Sequence, residues 1–100
     1  IVSGANIAVE AAAEPLLKAR GVLCIPDFIA NAGGVICAAM EYRGATEAQA
    51  FAAIEEKIGN NVREVLANSR RDDCLPRDAA MELAAARVRR AMDLRRWRLF

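Results

Sequence analysis

The apolar pattern of the chain changes period as it is read from the start. Val22, Leu23, Cys24 and Ile25 form an unbroken apolar run with β-branched residues at both ends, which predicts a short strand covered on both faces, as in a parallel sheet. Pro26 stops the run, since it has no N–H for a ladder and disfavours helix at the residue before it; the residues after it, Asp27 first, should be exposed. Upstream, Ile1-Val2 passing into Ser3-Gly4-Ala5-Asn6 reads as the end of another strand entering a small-residue turn. Between the two runs, residues from about Ala11 to Arg20 are good helix formers, with Leu16 and Leu17 on one face and Gly21 as a stop. Pro15 is harmless only in a first turn, so the regular part should start near Ala12. Strand, helix and strand in this order make a right-handed crossover.

Beyond Pro26 the period becomes helical. Val35, Ile36, Ala39 and Met40 mark a helix that opens at Gly33 and ends near Arg43, before Gly44. Thr46-Glu47-Ala48-Gln49 fits a capping box, and Phe51, Ile54, Ile58, Val62 and Val65 then recur at spacings of three and four on one stripe. Gly59-Asn60-Asn61 interrupts that helix with poor helix formers and predicts a bend or weak point. After a polar connection over residues 68–73, Pro76 suits the first turn of a last helix, with Met81, Ala85, Val88 and Met92 as its apolar stripe. The predicted fold is α/β: two short strands with a crossover helix at the tail of a parallel sheet, then three helices, so that the piece alone is mostly helical.

Polar residues collect where the apolar runs stop. Asn6 follows the first run, and Asp27 and Asn31 follow the second; in open α/β sheets ligands bind beyond the carboxyl ends of the strands. Gly33-Gly34 opens a helix, whose first amides are free and lie at its positive end, so a flat or anionic group could approach closely. The same residues also suit simpler work, the asparagines as turn formers or caps and the glycines as a turn.

Composition narrows this picture. One hundred residues allow one modest domain, and although 55% of them are hydrophobic only 5% are aromatic, so large core side chains are scarce and the chain would gain from a neighbour. The net charge of +1 gives no overall field for nucleic acid or an acidic substrate. Charge is nevertheless uneven, with Arg87, Arg89, Arg90, Arg95, Arg96 and Arg98 near the end and Trp97 and Phe100 among them. That cluster could bind nucleic acid or a membrane surface, but no binding motif accompanies it and a solvated helix face is the simpler reading. Cys24, Cys37 and Cys74 form no C-x-x-C pair and no histidine completes a metal set, so they read as reduced, small hydrophobes. No apolar run approaches the roughly 20 residues of a bilayer span, and a cytoplasmic protein is expected. The opening Ile1-Val2, in what reads as the middle of a strand, suggests a piece of a longer polypeptide.

Two motifs carry more. Pro26-Asp27-Phe28-Ile29-Ala30-Asn31-Ala32-Gly33-Gly34-Val35, with the upstream Gly4-Ala5-Asn6-Ile7 in the right order and distance, closely resembles the C-terminal part of the glutamate/leucine/phenylalanine/valine dehydrogenase family. The resemblance extends through Glu41 to Arg87-Val88-Arg89-Arg90-Ala91-Met92, which looks like that family's closing helix. It implies that residues 1–100 are the C-terminal part of a Rossmann-like nucleotide-binding domain, with closing helices over about 45–95. The implied activity is reversible, NAD- or NADP-dependent oxidative deamination of an L-amino acid to a 2-oxo acid and ammonia. Asn6, Asn31, Gly33 and Gly34 would face the nicotinamide half of the cofactor, and Val35 and Ala38 the amino-acid side chain.

Glutamate-specific members of the family carry a serine where this chain has Ala38, which offers no hydroxyl to a distal carboxylate but fits branched or aromatic side chains. The family's catalytic lysine and aspartate and its glycine-rich pyrophosphate loop belong to upstream sequence. Lys18 and Lys57, the only lysines, do not match the catalytic position, and no G-x-G-x-x-G occurs. The segment is therefore expected to hold no catalytic residue and no metal, and to be inert alone. Within a full-length homo-oligomer it would serve a small-molecule substrate, with no nucleic acid and no membrane. The competing expectation is a non-enzymatic helical interaction module with an arginine-rich, nucleic-acid-binding end.

Overall fold

A computed structural model describes residues 1–95. They form α1 (Ala13–Ala19), α2 (Asp27–Ala30), α3 (Gly33–Tyr42), α4 (Glu47–Arg71) and α5 (Pro76–Arg95). The long α4 is the spine: α3 and α5 pack along it, and the single turn of α2 also lies against it. Pro15 falls within the first turn of α1, as its missing N–H requires.

No strand forms among the described residues, which corrects the expected tail of a parallel sheet. The two extended segments do meet. The backbone nitrogen of Ile1 donates to the Leu23 carbonyl at 2.6 Å, and the Ile25 N–H donates to the Ile1 carbonyl at 2.9 Å. Those bonds have the slanted alternation of a parallel pair about Ile1 and Cys24. One such rung is not a ladder. Nor are the runs covered on both faces, since Leu23 is 51% and Val2 76% exposed. An apolar β-branched run acquires strand structure from the neighbours that pair with it and cover it, and residues 22–25 have only one short neighbour here.

The helices follow their local signals closely. At α4 both halves of the capping box are made, Gln49 N–H to Thr46 Oγ1 at 3.2 Å and Thr46 N–H to Gln49 Oε1 at 2.8 Å. The helix then runs without interruption through Gly59-Asn60-Asn61. Arg63 donates to Asn60 Oδ1 at 2.9 Å within the helix, and Arg87 of α5 donates to Asn61 Oδ1 at 2.9 Å. These bonds and the packing of α4 between its neighbours outweigh the poor intrinsic propensity of the triplet.

Three helices end in the same way. Gly21 after α1 and Gly44 after α3 both adopt φ +75. Their following residues reach back, Val22 N–H to the Leu17 carbonyl at 2.9 Å and Ala45 N–H to the Met40 carbonyl at 3.0 Å. After α4 the left-handed position is held by Asp73, at φ 47. Cys74 N–H meets the Ser69 carbonyl at 3.1 Å, and Ser69 Oγ donates back to the Cys74 carbonyl at 2.6 Å.

The core is small: Ile29 of α2, Val65 of α4, and Ala79 and Ala80 of α5, with Val62, Cys74 and Leu83 packed against them. The face α5 buries is therefore not the expected methionine stripe, because Met81, Val88 and Met92 are each 58% exposed. Alanines at 79 and 80 let α5 approach α4 closely, and that fixes the helix rotation.

Asp73 is the one non-glycine among these three termini, and its ion pair with Lys18, 3.3 Å with the carboxylate 96% exposed, offsets little of the conformational cost. Asp73→Gly in the native polypeptide is expected to raise stability by about 0.5–1 kcal/mol, read as a higher urea midpoint. A lowered midpoint would mean that the Lys18 pair outweighs the backbone strain.

Candidate functional site

The site begins with the turn that Pro26 starts. Asn31 closes α2 as its C-cap, its N–H bonding the Asp27 carbonyl at 2.7 Å. Ala32, not Asn31, is the N-cap of α3, and no side chain caps that helix. The Asn31 side chain is thus released from capping, and its Nδ2 donates to Oδ1 of Asn6. Two carboxamides 25 residues apart in sequence are joined. The outward-facing remainder of the pair keeps both donors and acceptors.

Beside this pair α3 opens at Gly33. Its first turn closes with Ile36 N–H on the Ala32 carbonyl at 3.0 Å, so the amides of Gly33, Gly34 and Val35 have no partner within the helix. A methyl on Gly34 would meet nothing within 4 Å, and one on Gly33 only Ile54 at an ordinary 3.7 Å. Neither glycine is therefore demanded by packing, and the surface over Gly34 is open. Val35, 77% exposed, and Ala38, also exposed, lie three residues apart on one side of α3.

The loop that carries Asn6 is held from below. Ser3 Oγ accepts the Ala5 N–H at 3.2 Å, and Ile7 takes the left-handed conformation at φ 52, rare for a β-branched residue. Its N–H donates to Oδ2 of Asp27. Asp27, expected to be exposed after Pro26, is buried. Its Oδ1 accepts the Phe28 N–H at 2.9 Å and Nη2 of Arg77 at 3.1 Å. Arg77 then reaches α1, its Nε donating to Oε1 of the buried Glu14 at 2.5 Å. Its guanidinium also lies 5.9 Å from the centre of the Phe28 ring. The Ile7 N–H, then Arg77 and the Phe28 N–H, hold the Asp27 carboxyl below its ordinary range against the opposing effect of burial. The bond to Glu14, followed by that to Asp27, pushes Arg77 up.

Sequence reasoning did not find Glu14 or Arg77. One signal was available: Arg77 sits in the first turn of α5, where the positive end of the helix disfavours a cation unless carboxylates meet it.

Away from this site, Arg87 is engaged by Glu64 at 3.0 Å as well as Asn61, while Arg89, Arg90 and Arg95 are exposed. Arg96, Trp97, Arg98 and Phe100, on which the nucleic-acid alternative also leaned, lie outside the described residues. The three cysteines are free thiols. Among the described residues no group of three or more His, Cys, Asp or Glu is placed to hold a metal ion, and no helix is long and apolar enough to cross a membrane.

Together these features define a helical segment that presents paired carboxamides beside the free amides of a glycine-opened helix, an arrangement suited to a small polar ligand. The chain belongs to the Glutamate/Leucine/Phenylalanine/Valine dehydrogenase family, whose model matches residues 1–96. It is 38% identical to a glutamate dehydrogenase of Aeropyrum pernix, over 97% of this chain and 26% of that protein. It is 36% identical to an NADP(+)-dependent glutamate dehydrogenase of Pyrobaculum calidifontis, over 97% of this chain and 25% of the relative. With an NADP-specific glutamate dehydrogenase of Saccharolobus shibatae the identity is 35%, over 95% and 24%. The chain thus spans about a quarter of the length of these curated relatives. No solved structure matches it.

The lowered proton affinity of Asp27 makes the loop acid-sensitive. A carboxyl whose folded-state pKa is depressed contributes stability in full above its unfolded value, about 4, and loses it as pH falls through the lower folded value. Asp27→Asn is therefore expected to lower stability at neutral pH and to flatten the acid limb below about pH 4. An unaltered acid limb in a chemical-denaturation series would show that Asp27 does not carry this dependence.

Proposed function

We propose that this chain is the segment of an NAD(P)-dependent amino-acid dehydrogenase that places the nicotinamide and shapes the substrate side-chain pocket. The observation that carries the reading is the Asn31–Asn6 hydrogen bond beside the free amides of Gly33 and Gly34. Paired carboxamides offer donors and acceptors together, which suits the carboxamide and ribose hydroxyls of a nicotinamide nucleoside. The open surface over Gly34 admits a flat ring at van der Waals distance. The group fits the residues present.

Held by Asn6, Asn31 and the amides at Gly33-Gly34, a nicotinamide cofactor would supply the hydride acceptor for oxidation at the amino acid's α-carbon, with water displacing ammonia to give the 2-oxo acid. This chain's part is placement. Asn6 and Asn31 fix the orientation of the cofactor's polar edge, and the apolar side of α3 at Val35 and Ala38 excludes water from the substrate side chain. Proton transfer is assigned to residues of the proposed full enzyme outside this segment, and the exposed Val2, Tyr42 and Phe51 are large hydrophobic surface available to it. Two of the relatives are named for NADP, which makes NADP the first cofactor to test. The same relatives are named for glutamate, whereas Ala38 lacks a hydroxyl, so the substrate must be read by trying glutamate, leucine, valine and phenylalanine in turn.

In the full enzyme Asn31→Ala is expected to raise the cofactor KM about tenfold, the effect of losing one polar contact of about 1.4 kcal/mol. Unchanged cofactor kinetics would remove Asn31 from the site. Ala38→Ser is expected to raise kcat/KM for glutamate relative to leucine by about tenfold or more, because a hydrogen bond to a charged group is worth roughly 1.5–3 kcal/mol. No change in that ratio would place Ala38 outside the pocket.

A further inference from the structure

We infer that Arg77 is the positioning residue for the Asn6–Asn31 pair, acting through Asp27 on the backbone of Ile7; the inference rests on the cofactor reading of that pair. Arg77 touches neither asparagine. It reaches them through a chain of directional contacts. Asn6 is covalently followed by Ile7, whose φ of 52 a β-branched side chain disfavours. The Ile7 N–H is held by Oδ2 of Asp27, so the left-handed turn lasts as long as that carboxylate stays in place and charged. Asp27 is 7% exposed, and its carboxylate is met there by the Ile7 N–H, the Phe28 N–H and one cation. The cation that meets it is Arg77, at 3.1 Å.

Arg77 is itself fixed rather than merely attracted. Its Nε donates to Glu14 at 2.5 Å while Nη2 donates to Asp27, so two nitrogens of one rigid fork serve two different carboxylates. The guanidinium also lies over the Phe28 ring, 5.9 Å from its centre. A lysine retains the charge but has no fork, and its single ammonium cannot reproduce both bonds in that geometry. The arrangement therefore links the register of α5 and α1 to the placement of the Asn6 carboxamide opposite Asn31. It also explains a feature that packing does not, namely a buried cation-bridged carboxylate directly under the loop that carries a candidate ligand-binding residue.

The test is a double-mutant cycle in the full-length enzyme with Asn6→Ala, Arg77→Lys and the two combined. Equilibrium binding of NADPH and NADH is read by fluorescence titration without amino acid, and amide hydrogen exchange is followed in the peptide covering Ile7. Asn6→Ala is expected to weaken binding about tenfold, from the loss of one polar contact. Arg77→Lys should weaken it several-fold and speed exchange at Ile7, and the double variant should bind no worse than Asn6→Ala, because the two changes act along one path. The cofactor KM should rise in Arg77→Lys with kcat at saturating cofactor within about twofold, whereas general loosening of the fold would raise KM and lower kcat together. Losses that add in the double variant, or Ile7 exchange unchanged in Arg77→Lys, would overturn the inference. If Asn6→Ala leaves binding intact while Arg77→Lys still frees Ile7, the cofactor reading fails and the loop-positioning role of Arg77 stands. Arg77→Met, which removes the charge as well, should exceed Arg77→Lys in both readouts wherever it folds, and equal effects would count against the charge on Asp27 as a link in the path.

Discussion

One guanidinium, that of Arg77, joins α1 and the turn at Asp27 to α5. The helices from α3 onward lie against α4 through apolar side chains, but α1 has no comparably extensive helix contact. It is tied down by Glu14 on Arg77 and, at the surface, by Lys18 on Asp73. Such a buried ion pair adds little net stability, because desolvating the charges offsets most of their attraction. Its importance is asymmetric. Removing Arg77 would leave Glu14 and Asp27 buried without a cation, a cost on the order of 3 kcal/mol, less the share that water recovers at the 28% exposed guanidinium side chain. A hydrophobic contact such as Ile29 on Val65 can seat α2 against α4, but it has no direction. The Asp27 carboxylate does, and the Asn6 loop takes its conformation from it.

Local signals in the sequence were read reliably because the chemistry they describe is local. Thr46 with Gln49, Gly21 after α1, Gly44 after α3 and Pro76 at the start of α5 each act within four or five residues, and each acts as its position implies. Signals that depend on a neighbour were read less well. The run at residues 22–25 has strand composition yet lacks enough partners to become one, and Gly59-Asn60-Asn61 has poor propensity yet is carried by Arg63, Arg87 and the packing on both sides. The rotation of α5 escaped for a related reason. Alanines at 79 and 80 outrank the larger Met81, Val88 and Met92 because closeness to α4, not side-chain size, decides which face is buried.

The site divides along the same line. Two short motifs singled out Asn6 and Asn31, whose side chains are hydrogen-bonded to one another. The support beneath them was not legible, since Arg77 lies 63 residues from Glu14 and 50 from Asp27 and no periodicity spans such separations. Asp27 was noticed for its place after Pro26, but its burial follows from Arg77 and could not be read without it.

The attachment of α1 and its preceding loop has a consequence for order of assembly. Contacts among α3, α4 and α5 join consecutive helices and can form early, whereas the loop at Asn6 closes only when distant charges meet. Residues 1–25, outside the core that Ile29 joins, are therefore expected to complete last and open first. A ligand that bridges Asn6 and Asn31 binds the closed form alone, so it draws the loop, α1 and the Arg77 clamp into one cooperative unit and raises their stability by mass action. Binding at the proposed site would therefore share one equilibrium with closure of the Asn6 loop and α1.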